Sequence, residues 1–141
     1  MIRFILIISL LFCCHLAQSA EELVVVVNKN NPTDKLTKSE VIDIFMGKYI
    51  AYPNGDSASP LELEDNNRIK EIFYQNLIGR SLASVNSYWA RLKFTGHART
   101  ADIVTSEENV VALINSTNSA IGYICASNLT PELKVVYNFN E

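Results

Sequence analysis

The spacing of hydrophobic positions changes several times along this chain, and each change marks an element. Leu23 to Val27 is an unbroken aliphatic run, the pattern of a strand buried on both faces. Asn28 to Pro32 ends it with turn formers. Val41, Ile42, Phe45 and Met46 then recur at helical spacing behind Thr37-Lys38-Ser39-Glu40. That quartet is a capping box, in which hydroxyl and carboxylate satisfy each other's orphan amides, and Gly47 stops the helix. Tyr49 to Tyr52 is read as a short extended piece, Pro53-Asn54-Gly55-Asp56 as a turn, and Leu61-Glu62-Leu63 as an alternating strand.

A second helix is predicted from Asp65-Asn66-Asn67, with Ile69, Ile72, Phe73 and Leu77 on one face and Gly79 at its end. A third runs from about Ser81, aligning Leu82, Val85, Trp89 and Leu92. Thr105-Ser106-Glu107-Glu108 is read as another capping box before a helix carrying Val110, Val111, Leu113 and Ile114. Ala120 to Cys125 and Leu133 to Tyr137 read as strands joined by a turn near Asn128 to Pro131. Interleaved strands and helices predict an α/β domain, a mixed sheet flanked by helices.

The first twenty residues stand apart. Arg3 precedes an apolar run from Phe4 to Cys14, and small residues follow up to Ala20, the layout of a secretory signal peptide. The run is too short for the roughly 20 residues that span a bilayer, and Phe12 before Cys13 fits poorly in a lipoprotein signal. The expectation is a signal peptide over residues 1–20 and one domain over 21–141, periplasmic or secreted, with no membrane span after cleavage.

Loss of Arg3 leaves eleven bases against fifteen acids, a net charge of −4. A mildly acidic surface argues against sequence-independent binding to nucleic acid. Cys125 is then the one cysteine left, and its apolar neighbours make it a small buried residue rather than a reactive thiol.

Signs of an enzyme are sparse. His97 is the one histidine after the leader, and no Gly-x-Ser-x-Gly elbow is present. Glu62, Glu64 and Asp65 cluster in sequence, but such a cluster is ordinarily a solvated face. No cofactor is implied and no catalysis is expected. Anion binding has more support, because helix N-termini present free amides and a positive pole. Among the predicted starts, Asn66-Asn67-Arg68 brings a guanidinium into the first turn. Phe94-Thr95-Gly96-His97-Ala98-Arg99 forms a second candidate loop, with a plain helix-ending turn as the competing reading.

Three ordered stretches carry a family resemblance. Glu40 to Lys48, ending Ile44-Phe45-Met46-Gly47-Lys48, resembles an element of the phosphate-type ABC-transporter binding proteins. Tyr88 to Gly96, with its Phe94-Thr95-Gly96 turn, is similar to the Trp-centred helix of short members, and Ala120-Ile121-Gly122-Tyr123-Ile124 to their Gly-Tyr strand. The resemblance implies a single periplasmic-binding-protein-like lobe of the type that holds phosphate between two lobes. It also implies a small anion such as phosphate as ligand, contacted at Asn66, Asn67 and Arg68 with Thr95, Gly96 and Arg99, and a transporter or other envelope protein as partner. Asn66-Asn67-Arg68 stands where full-length members carry a Ser-Gly-Thr run, so the hydroxyl donors are absent. An interaction module that retains the fold without the ligand is the alternative.

Overall fold

The computed structural model of the chain describes residues 21–96 and 101–140. The predicted leader, His97 and Arg99 lie outside the described residues. In chain order the elements are β1 (Leu23–Asn28), α1 (Lys38–Phe45), β2 (Ser59–Leu63), α2 (Arg68–Ile78), α3 (Leu82–Phe94), β3 (Asp102–Val104), α4 (Glu107–Ser116), β4 (Ala120–Cys125) and β5 (Leu133–Asn138). The strands form one five-stranded sheet in the order β3-β2-β4-β1-β5. β2 pairs parallel with β3 and β4, whereas β1 runs antiparallel to both β4 and β5. The mixed α/β sheet is therefore as expected. The last two predicted strands do not form a hairpin, because β1 lies between them.

β1 is buried at every position, which explains its unalternated sequence: helices cover both faces of the sheet. β4 shows how. Its central Gly122 faces α4, where an added Cβ would lie 2.7 Å from Val110 Cγ1 and 3.4 Å from Ile114 Cδ1. The next side chain, Tyr123, points to the opposite face and stacks on Phe73 of α2 at 3.9 Å between ring centroids. Phe45 of α1 meets Phe73 edge-on at 4.9 Å. So α4 packs on one face and α1 and α2 on the other, giving three layers.

The α1 capping box forms in both directions, Thr37 N to Glu40 Oε2 at 2.7 Å and Glu40 N to Thr37 Oγ1 at 3.2 Å. Gly79 ends α2 at φ 65°, a left-handed turn that costs glycine little. The second predicted box does not form. The cap is Ser106, one residue later, bonded to the Asn109 amide, so no glutamate stands in the reciprocal position; separately, Glu107 accepts from the Cys125 amide at 2.6 Å. On α3, Val85 is buried, but Leu82, Trp89 and Leu92 are only half-buried. That helix packs on α2 rather than on the sheet. β3 is too short and too exposed for its hydrophobic pattern to have announced it.

Replacing Gly122 with Ala should force α4 away from β4 and destabilise the protein by about 1–3 kcal/mol. Urea unfolding measures this; an unchanged midpoint would mean that α4 yields freely.

Candidate functional site

The parallel strands β2, β3 and β4 deliver their carboxyl ends Leu63, Val104 and Cys125 to one edge of the sheet. In open α/β sheets, ligands collect outside that edge. Two helices start there, α2 after residues 64–67 and α4 after Thr105-Ser106. At α2 the Asn67 side chain accepts the Ile69 amide at 2.9 Å, and its carbonyl accepts the Lys70 amide at 3.1 Å. Asn67 is thus occupied as the cap, and the exposed Arg68 brings the remaining donors of the turn.

Beneath this edge lies a buried polar network. Glu62 is 3 % exposed and accepts hydrogen bonds from the hydroxyls of Tyr74 and Tyr123, the latter at 3.3 Å. Tyr123 in turn accepts the Leu63 amide at 3.2 Å. The Lys70 ammonium, also buried, lies 3.8 Å from Glu62 and 2.9 Å from Asp65. Asp65 also accepts from Asn86 Nδ2 at 3.0 Å, which ties in α3. A buried carboxylate is tolerated where hydroxyl donors and an ammonium replace its hydration. Burial, and then the charge of Glu62, push the Tyr123 hydroxyl well above its ordinary range. The hydrogen bond from Lys70 holds Asp65 below the usual carboxylate range, partly opposed by burial. At the end of β4, burial and then Glu107 raise the Cys125 thiol to about 12, which keeps it protonated and unreactive.

Residues at the predicted anion sites divide into two groups. Asn66 is exposed and lines a depression of about 470 Å³ with Glu64, Asp65, Lys70 and Ile103. Arg68 and Asn67 belong to the same turn. Thr95 and Gly96 sit instead at the carboxyl end of α3, where the Thr95 hydroxyl donates to the Leu92 carbonyl at 2.9 Å. Nine residues of helix separate them from Asn86, the residue that touches Asp65, or about 13 Å along the axis. Of that candidate loop, Arg99 lies outside the described residues. Among the described residues no group of histidine, cysteine and acidic side chains is arranged to hold a metal, and no helix is long and apolar enough to cross a membrane.

Of the acidic cluster, Glu62 is not on a solvated face but in the core. Sequence periodicity held a signal for this. Lys70 falls on the buried face of α2, with Ile69, Phe73, Tyr74 and Leu77. A lysine in that position requires a buried acceptor.

No family model and no curated protein matches the sequence. Solved structures do match the architecture. An ABC-type phosphate transport receptor from Vibrio cholerae superposes with a TM-score of 0.66 at 20% identity, over 82% of this chain and 45% of that one. A Clostridium perfringens protein assigned to the phosphate ABC transporter substrate-binding proteins, crystallised with bound phosphate, gives 0.65 at 19% identity over 82% and 44%. PstS from Borrelia burgdorferi gives 0.64 at 12% identity over 82% and 46%. The chain has the fold found in phosphate-binding proteins. It spans less than half the length of these neighbours, which are binding proteins rather than enzymes.

Two outcomes test the network. Lys70→Ala removes the ammonium 3.8 Å from the buried Glu62 and should cost about 3 kcal/mol in denaturant unfolding. Because the folded carboxyl of Asp65 titrates below its unfolded value of about 3.9, its contribution is present above that pH and is lost as pH falls through the folded value. Asp65→Asn should therefore flatten stability against pH below about 4; a curve parallel to wild type would exclude Asp65 as the source.

Proposed function

We propose that this chain is an exported solute-binding module of the phosphate-binding-protein fold, working at the carboxyl edge of its parallel strands. Its ligand is a small oxyanion of the phosphate class, and it has no catalytic role. The observation that carries this reading is the start of α2. It opens directly after β2 at the sheet edge where such folds take ligands, with the exposed Arg68 in its first turn. The fold shared with a protein that holds phosphate supports the same edge. Asn66 and Arg68, with the positive pole of α2, would contact one side of the ion. A guanidinium in the first turn disfavours the helix dipole unless an anion sits beside it. Delivery to a transporter or another envelope protein follows from the neighbours' role.

A second reading draws on charge. Glu64 and Asp65 line the depression beside Asn66, and carboxylates repel phosphate. They suit a protein surface that carries cations, with the fold kept for docking.

Thermal unfolding of the purified protein with phosphate, and with sulfate as control, separates the two. Ligand at 100 times its dissociation constant adds about 2.7 kcal/mol, a melting shift on the order of 10 °C in a domain of this size. On the oxyanion reading, Arg68→Ala abolishes the shift, and Glu64→Gln tightens binding by about two- to fivefold through loss of a like charge. Absence of a shift with either anion, or an unaltered one in Arg68→Ala, rejects the site in favour of docking.

A further inference from the structure

Away from the strand edge, the ends of α1 and α2 and the first half of α3 enclose a groove of about 330 Å³. Its walls are apolar: Ile42 and Met46 from α1, Ile78 from α2, and Val85 and Tyr88 from α3. The Tyr88 hydroxyl donates to the Met46 carbonyl at 3.2 Å, which fixes its ring as a wall and ties α3 to α1. Around this floor stand Lys48, Arg80 and Arg91, all exposed, and no acidic residue lines the groove. None of the three forms an ion pair among the described residues. Cations in the last turn of a helix or just beyond it complement the carboxyl pole, which accounts for Arg91 within α3 and for Lys48 and Arg80 after α1 and α2. It does not account for three of them converging from three helices on one apolar groove, in a chain with net charge −3.

We infer that this groove docks an acidic amphipathic helix of a partner protein, with apolar side chains seated between α1 and α3 and carboxylates paired to Lys48, Arg80 and Arg91. The geometry is that of a helix laid in a groove, read through anchors at i, i+3 or i+4. Guanidinium forks match carboxylates in a way an ammonium does not, and two of the three cations are arginines. An anionic bilayer is the poorer fit. The apolar surface is recessed between helices rather than protruding, and the chain as a whole is acidic. The inference is independent of the oxyanion reading, because none of these residues lies at the strand edge.

The test uses the purified protein and fluorescence anisotropy with a labelled synthetic helical peptide bearing leucines at i, i+4 and i+7 and flanking glutamates. A peptide with lysine at every glutamate is the control, and vesicles of phosphatidylcholine with one quarter phosphatidylglycerol are a separate arm. The acidic peptide should bind in the micromolar range, at least about tenfold tighter than the lysine peptide. Arg80→Glu with Arg91→Glu should weaken it by at least about tenfold while leaving the melting temperature nearly unchanged, since both residues are exposed. Amide shifts on binding should map to residues 42–48 and 78–91, and phosphate should not compete. Equal binding of both peptides, an unaltered affinity in the double variant, shifts elsewhere, or no binding at about 1 mM overturns the inference. Vesicle binding without peptide binding overturns it too, in favour of a membrane surface.

Discussion

Burying the Glu62 carboxylate constrains more of this structure than any other single group. A charge in the middle of a strand covered on both faces must be met by donors that reach it from several directions. Those donors come from different elements: Tyr74 and Lys70 from α2 and Tyr123 from β4, with Asp65 holding Lys70 and Asn86 of α3 holding Asp65 in turn. Satisfying one carboxylate therefore sets where α2 lies on the sheet, where β4 lies beside β2, and where α3 crosses α2. The same Tyr123 ring stacks on Phe73, so the polar network and the aromatic core share a side chain and cannot move separately.

Much of the fold was legible in the chain because its local signals are strong. The run Leu23–Val27, the Thr37–Glu40 box, Gly79 and the Ala120–Cys125 strand each rest on a preference that packing reinforces. Gly122 shows why a family-like motif can also be physical, since its missing side chain is what lets α4 approach. Other features were not legible, for identifiable reasons. The box expected at Thr105–Glu108 failed because the cap falls one residue later, at Ser106, which puts Asn109 rather than a glutamate in the reciprocal position. β3 has three residues, and its place is set by pairing with β2. Glu62 was mistaken for a surface acid because Lys70, Tyr74 and Tyr123, which meet it, lie 8 to 61 residues away.

For the site, the sequence pointed to two places, the turn before α2 and the end of α3, which the fold sets some distance apart. Helix starts are easy to find and say little about what they hold. What the fold adds is position, since the start of α2 lies at the strand edge. It also adds company, because Glu64 and Asp65 share the depression with Asn66. That mixture of guanidinium, amide and carboxylate makes charge balance, rather than shape, the quantity that decides what binds there.

The position of β1 has a consequence for how the protein is made. This strand leads the described chain, yet it lies between β4 and β5, pairing Val25 with Tyr123 on one side and Tyr137 on the other. Both partners are synthesised roughly a hundred residues later, so the centre of the sheet closes through contacts of very long sequence separation. A nascent chain of this design has no native sheet to form around β1 until β4 has been translated. Until then both edges of β1 lack their native partners, and the buried centre of the sheet is the last part of the fold to close.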